Sequence, residues 1–418
     1  MKRFLSLLIL MMMMVSLAGC ESETEVEEEV FEEFGIEDVD TEYYEKFKSK
    51  NISINVYNWG EYIPDGSEDG VIDLNAEFTN LTGIKVNYST YASNEELYAK
   101  LKGGGASYDI IIPSDYMISR MIKEEMLQPL NLENIPNRNN IMENFMESEY
   151  DPDGTYSVPY TWGTVCIIYD NTAIDIPEEE IDWDILWNEE YKDSILMFDN
   201  PRDAFAIAEL MLGYSLNTED HKELKEAAQL LVTQKPVIQA YVMDEIFDKM
   251  GAGEAIVAPY YTGDGLTLMD EFDHLSIALP KSGTNLFIDA ACIPANAKNK
   301  EAAEMYINFL CEPEVACQVA EYIGYSTPNQ GAFELLDEEI TSNKYAYPDD
   351  EFINNKTTVF RNLSDNANDK MQELWTDMKS AQVEKVNQWI VPMFMLICVL
   401  LSIGILIRRY IKNKKDIF

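Results

Sequence analysis

The chain has 418 residues with a hydrophobic share of 46% and an aromatic share of 11%. That is room for two to three domains with a large core, which excludes a small disulfide scaffold and a wholly disordered chain. Against 31 lysines and arginines stand 75 aspartates and glutamates, a formal net charge of −44, which repels phosphate backbones and argues against nucleic acid as a partner. A cationic ligand or plain solvation fits that balance.

At the N-terminus, Met1, Lys2 and Arg3 precede an apolar run from Phe4 to Leu17 and then Ala18, Gly19 and Cys20, the charged, apolar and small-residue zones of an export signal. Leu17-Ala18-Gly19-Cys20 resembles the bacterial lipobox, which implies a signal peptide over 1–19 and lipidation of Cys20. From Glu21 to Glu45 there are 13 acids and no base, a self-repelling run read as an extended acidic tether over 20–49. At the far end, Trp389 to Ile407 is a 19-residue segment without charge, long enough at about 1.5 Å per residue to cross about 30 Å of hydrocarbon. Arg408, Arg409, Lys412, Lys414 and Lys415 follow it, so 389–407 reads as a transmembrane helix with a cytoplasmic basic tail over 408–418 and the folded body outside.

The cysteines at 20, 166, 292, 311, 317 and 398 form neither a CxxC nor a CxxCH pattern, so no metal and no cofactor is expected. Cys311 and Cys317 stand at i and i+6 of one helical pattern and do not share a face, which disfavours a local disulfide. The four cysteines of the body read as small buried hydrophobes.

Between Asn51 and Lys379 the apolar pattern alternates between two periods. Ile52 to Val56 and Ile84 to Tyr88 alternate apolar with polar, and between them Leu74, Phe78 and Leu81 have helical spacing with Gly83 as a stop, so the spacing predicts a β-α-β unit. A helix over Glu95 to Lys102 closes at Gly103-Gly104-Gly105, and Asp109 to Pro113 is a short apolar run of the buried parallel-strand type. Strands in the same style are expected at Thr164 to Tyr169, Ile195 to Phe198, Ala255 to Ala258 and Leu286 to Ile293. Helices are expected near Ala204 to Leu216, Glu223 to Thr233, Met243 to Met250 and Lys300 to Leu310. The reading is an α/β protein of two lobes.

In open parallel sheets a ligand sits beyond the carboxyl ends of the strands. Trp59, Gly60, Glu61 and Tyr62 follow the first strand; Ser114, Asp115 and Tyr116 follow the run ending at Pro113; Asp199 and Asp203 follow Phe198; Tyr260, Tyr261 and Asp264 follow Pro259. A crevice of carboxylates and aromatic faces suits a flexible organic cation such as a linear polyamine, through charged hydrogen bonds of roughly 1.5–3 kcal/mol and cation–π contacts of roughly 0.5–2 kcal/mol. Taken alone, Asp115, Asp199 and Asp264 serve equally as helix N-caps or solvated loop acids, and Tyr62, Tyr160 and Trp162 as core aromatics. Asp289 lies inside the apolar run Leu286-Phe287-Ile288-Asp289-Ala290-Ala291, where an unpaired charge is costly, and is the first choice for an ammonium partner.

Five ordered blocks of the body resemble the spermidine/putrescine-binding proteins of polyamine ABC transporters: Val56-Tyr57-Asn58-Trp59-Gly60-Glu61-Tyr62-Ile63, Tyr108-Asp109-Ile110-Ile111-Ile112-Pro113-Ser114, Val158-Pro159-Tyr160-Thr161-Trp162-Gly163, Ile293-Pro294-Ala295-Asn296-Ala297-Lys298-Asn299-Lys300 and Ile323-Gly324-Tyr325-Ser326-Thr327-Pro328-Asn329. The resemblance implies a two-lobed periplasmic-binding-protein-like (type II) fold with a hinge, the lobes near 50–163 plus 288–333 and near 164–287 plus 334–376. It also implies a monomeric, membrane-anchored receptor without enzymatic activity that passes spermidine or putrescine to a permease driven by a cytoplasmic ATPase. By the same resemblance Trp59, Glu61, Tyr62, Ser114 and Tyr116 supply an aromatic wall and a carboxylate, Asp203 and Asp289 the acids for the amines, and Tyr325 another contact. Tyr261 and Phe287 stand where a well-known member has tryptophan, Asn200 beside Asp199 where it has an acid, and Val359 where it has glutamine.

The rival readings are a receptor of the same fold for a sugar, a peptide or another small organic ligand, and, less well supported, a glycosidase built on carboxylate pairs. For other catalysis the chain offers only His221 and His274, with no G-x-S-x-G or H-E-x-x-H motif.

Overall fold

The computed structural model describes residues 41–381 except 68, 69, 106 and 147. The export signal, Cys20, most of the acidic run and the 389–407 segment with its basic tail lie outside the described residues. Among the described residues no helix is long and apolar enough to cross a membrane.

The described chain opens with α1 (Thr41–Tyr44) and a 3-10 turn at Glu45–Phe47. Tyr44 and Phe47 are buried. The Tyr44 hydroxyl donates to Glu312 Oε1 at 2.7 Å and accepts from Asn308 Nδ2 at 2.9 Å. This corrects the tether read over 20–49: its last residues fold onto the body, because two buried rings outweigh the repulsion among the few acids beside them.

β1 (Ser53–Trp59), α2 (Leu74–Thr82) and β2 (Lys85–Tyr91) form the expected β-α-β unit. The Asp73 carboxylate caps α2 by accepting from Ala76 N, and Gly83 ends it in the left-handed region at φ 73°. α3 (Asn94–Lys102), β3 (Ile110–Ile111), α4 (Asp115–Lys123) and the short α5 (Glu143–Met146) lead into β4 (Ser157–Asp170), which is buried along its length. β5 (Ile195–Phe198), α6 (Pro201–Leu212), α7 (His221–Gln234), β6 (Ile238–Val242), α8 (Glu245–Gly251), β7 (Val257–Tyr261) and α9 (Thr262–Glu271) follow. The chain continues through β8 (Leu275–Ala278), β9 (Thr284–Cys292), α10 (Lys300–Leu310), α11 (Pro313–Ile323), α12 (Gln330–Leu335), α13 (Glu338–Thr341), α14 (Asp350–Lys356), β10 (Thr357–Val359) and α15 (Asp365–Ser380).

The strand order is β2-β1-β3-β9-β4-β7-β5-β6, with β10 beside β9 and β8 beside β4. β1 runs parallel to β2 and β3, and β5 runs parallel to β6 and β7. An antiparallel pair joins these two triplets: β9 pairs with β3 and β4, and β4 pairs onward with β7 and β8. The strands at Thr164 to Tyr169 and Leu286 to Ile293 therefore run antiparallel to each other and to β7, β8 and β3, not in the parallel style expected, while β10 lies parallel to β9. Both are buried on both faces, and a strand buried on both faces reads as a continuous apolar run whichever way it points.

Ser157 to Thr164 of β4 pair with β9, whereas Val165 to Asp170 pair with β7 and β8. One half of the sheet therefore carries α2 to α5 and the other carries α6 to α9, an α/β architecture. Around the second half, Phe198, Phe205, Leu231, Ile246 and Leu268 form one apolar cluster with Met371, Trp375 and Met378 of α15. Lys235 Nζ donates to the carbonyls of Met378, Lys379 and Ala381 at 2.6–2.9 Å, closing the C-terminal end of α15. Cys166, Cys292, Cys311 and Cys317 are free and buried, as expected of small hydrophobes.

Candidate functional site

A cavity with an open volume of about 610 Å³ lies at the carboxyl ends of β1, β3, β5, β6 and β7, floored by β9. The structure brings ten of the expected residues to it: Trp59, Tyr62, Ser114, Tyr116, Asp203, Tyr261, Asp264, Phe287, Asp289 and Tyr325. Most arrive on or just past a strand end, whereas Phe287 and Asp289 project from within β9 and Tyr325 follows the end of α11. Glu61 holds φ at 46°, a left-handed turn rare outside glycine, and reverses the chain after β1. Trp59 Nε1 donates to the Ile112 carbonyl at 2.9 Å, tying the end of β1 to the residue after β3.

Four aspartates from four segments line the cavity, and each accepts a hydrogen bond from a tyrosine. Tyr62 Oη donates to Asp289 Oδ2 at 2.6 Å, Tyr325 Oη to Asp264 Oδ2 at 2.8 Å, Tyr261 Oη to Asp203 Oδ2 at 3.0 Å and Tyr260 Oη to Asp244 Oδ1 at 3.2 Å. Burial pushes these phenols well above their ordinary range, and the neighbouring carboxylates push them further, so they remain neutral donors. A neutral donor orients a carboxylate without cancelling its charge. No lysine, arginine or histidine of the described residues lines the cavity.

Burial raises the carboxyl of Asp289 to about 6, with the Ser114 and Tyr62 hydroxyls holding it lower than burial alone would. Asp289 Oδ1 is buried with no close hydrogen bond among the described residues, an acceptor that a ligand's donor can meet. Asp264 is pushed up to about 8 by burial and by the charges of Asp244 and Glu61, against the bond from Tyr325. Asp203 and Asp244 are raised in the same direction, again chiefly by burial.

Between the acids stands an aromatic wall. Tyr62 meets Tyr325 edge to face at 5.1 Å, Tyr261 meets Phe287 at 5.3 Å and Phe287 meets Tyr325 at 6.0 Å between ring centroids. Such faces accept methylene groups and, at their π surface, ammonium groups.

Three expected residues fall outside the cavity. Asp115 is fully buried; its carboxylate accepts from the Tyr116 N and the Ile288 N, clipping the start of α4 to β9. Asp199 pairs with Lys379 at 2.5 Å. Glu61 borders an outer cleft that it shares with Asp244 and Asp264. Asn200 caps α6, accepting from the Asp203 N at 2.9 Å and donating to its carboxylate at 2.8 Å. Tyr160 and Trp162 are core aromatics: the Tyr160 hydroxyl donates to the Tyr62 carbonyl at 2.7 Å, and Trp162 packs against Phe145 and Tyr347.

Sequence reasoning passed over Asp244, Phe247, Asn285 and Phe360, all at the cavity. Asp244 and Phe247 follow β6, an edge strand half-buried at most of its positions. The alternation of Ile238, Ala240 and Val242 with Gln239 and Tyr241 was the signal available for it.

An α/β crevice lined by acids and aromatic walls fits a solute-binding protein. The chain belongs to the bacterial extracellular solute-binding protein family, whose profile matches residues 106–356. The spermidine/putrescine-binding periplasmic protein of Escherichia coli (strain K12) is 40% identical over 306 residues, 73% of this chain and 86% of that protein. The putrescine-binding periplasmic protein SpuD of Pseudomonas aeruginosa is 30% identical over 356 residues, 79% of this chain and 93% of that protein. Among solved structures, the spermidine/putrescine ABC transporter substrate-binding protein PotD from Streptococcus pneumoniae superposes with a TM-score of 0.65 at 38% identity, covering 78% of this chain and 98% of that one.

Proposed function

We propose that the chain is an extracytoplasmic polyamine receptor that captures spermidine or putrescine and delivers it to an ABC permease. One observation carries this reading: four tyrosine-braced aspartates converge on a cavity whose lining, among the described residues, holds no cationic side chain. An anion would be repelled there. A neutral sugar would leave the four carboxylates without a counter-charge, most costly for the buried Asp203 and Asp289, whereas a linear polyamine supplies two or more ammonium groups and methylenes for the rings.

In this reading Asp289 and Asp203 bind ammonium, Asp264 and Asp244 add charge at the side shared with the outer cleft, and Trp59, Tyr62, Tyr116, Tyr261, Phe287 and Tyr325 form the walls. Ser114 supports Asp289. The protein acts by binding alone, as a monomer, its lobes closing around the cation and presenting the closed shape to the permease. Cys20 carries a lipid, and 389–407 forms a second, transmembrane anchor that leaves the tail 408–418 in the cytoplasm. The test is intrinsic fluorescence: spermidine or putrescine shifts the emission of the wild-type protein, and Trp59→Phe removes most of that shift. An equal response to a neutral sugar would overturn the ligand assignment.

A further inference from the structure

The cavity poses a charge problem before any ligand arrives. Asp203, Asp244, Asp264 and Asp289 line one space, with Asp203 and Asp289 buried, Asp264 half-buried and Asp244 exposed, and neutral donors, four tyrosine hydroxyls and the Asn200 amide, bond them there. Resting on the polyamine reading, we propose that capture is a cation-for-proton exchange: the ligand-free cavity keeps protons on Asp264 and Asp289, and the incoming ammonium groups release them to solvent.

The groups of the described residues that face Asp264 and Asp289 include no counter-ion. Around Asp264 on α9 stand the Tyr325 hydroxyl, the carboxylates of Asp244 and Glu61, and the rings of Tyr62 and Tyr260. Around Asp289 on β9 stand Ser114 and Tyr62, the carboxylates of Asp203 and Asp115, and Tyr91. Arg202 is the one cation within reach, acting on Asp203 and Asp115. It is spent elsewhere: its guanidinium is buried over the Phe360 ring and donates to the carbonyls of Leu216 and Arg361 and to Asn217 Oδ1. Asp289 Oδ1 makes no close hydrogen bond with the described residues, with only the Ser114 hydroxyl near the carboxyl besides Tyr62.

The step balances without a co-reactant. A carboxylic O–H breaks, the proton leaves to buffer, and the carboxylate pairs with an ammonium that stays protonated throughout, since alkylammonium groups titrate near about 10. With Asp264 held at about 8 and Asp289 at about 6, linkage sets the scale. About one proton leaves per ligand at pH 7 and about one and a half at pH 6, and affinity falls roughly 100-fold from pH 8 to pH 6.

The experiment is calorimetric titration of the full-length chain in detergent with spermidine, at pH 6, 7 and 8, in buffers of low and high ionisation enthalpy. The expected result is a buffer-dependent heat that reports about one proton released at pH 7, with Asp264→Asn lowering that number to about a tenth while spermidine still binds more weakly. Wild-type binding with equal heats in both buffers and a pH-independent affinity would overturn the exchange and leave the polyamine reading standing. No spermidine binding at any pH would overturn that reading and the exchange with it. The buffer comparison needs only the wild-type chain, so the outcome does not depend on the variant folding.

Discussion

Replacing Asp289 with asparagine separates binding from stability. The carboxylate sits in β9 at 3% exposure, one oxygen bonded by Tyr62 and the other with no close hydrogen bond among the described residues. Losing a charge-assisted contact to an ammonium costs roughly 1.5–3 kcal/mol of binding, a weakening of tenfold to a hundredfold. Without ligand the sign reverses. The carboxyl rises to about 6 in the fold, so the folded chain holds its proton where the unfolded chain has lost it. Its contribution favours the fold at acid pH and is lost as pH climbs from the ordinary carboxylate range through about 6. At pH 8 the buried charge opposes folding by up to roughly 3 kcal/mol. Asp289→Asn therefore raises the ligand-free Tm at pH 8, leaves it nearly unchanged at pH 4, and weakens spermidine at least tenfold. Thermal unfolding at the two pH values and one titration read all three. Unchanged affinity, or a ligand-free Tm that falls at pH 8, would refute the reasoning.

Tyr261→Phe removes the 3.0 Å bond to Asp203 and costs about 1 kcal/mol of binding, a fivefold rise in the spermidine Kd; an unchanged Kd would show that Asp203 needs no brace. In Gly263→Ala the added Cβ would stand 2.0 Å from Tyr325 Cδ2, forcing the ring and its bond to Asp264 aside, with a stability loss of about 1–3 kcal/mol and at least tenfold weaker binding; a wild-type Tm would contradict the packing. Tyr44→Ala removes a ring at 1% exposure and its bonds to Glu312 and Asn308, lowering unfolding free energy by about 3–5 kcal/mol in denaturant titration; no change would mean that the segment before Asn51 does not belong to the folded body.

Much of this architecture was legible because local pattern and burial agree. Ile195–Phe198 and Lys300–Leu310 fall where periodicity places them, and reading the loops past strand ends found most of the cavity. Direction was not legible: β4 and β9 are buried on both faces, and their apolar runs carry no record of antiparallel pairing. Edge position hid β6, and with it Asp244. The tyrosine braces were out of reach for another reason, since Tyr62 and Asp289 lie 227 positions apart and only the closed topology makes them neighbours. Asp115 misled because an acid after a strand serves as well to clip a helix start to the next strand as to meet a ligand.

The measurement that bears most directly on the account is equilibrium dialysis of the full-length chain against radiolabelled spermidine and putrescine at pH 8 and moderate salt, with unlabelled neutral sugar as competitor. The account predicts one site per chain with a Kd near or below about 1 μM, about −8 kcal/mol, for at least one polyamine, untouched by the sugar. Retention of neither polyamine, or displacement by the sugar, would contradict it.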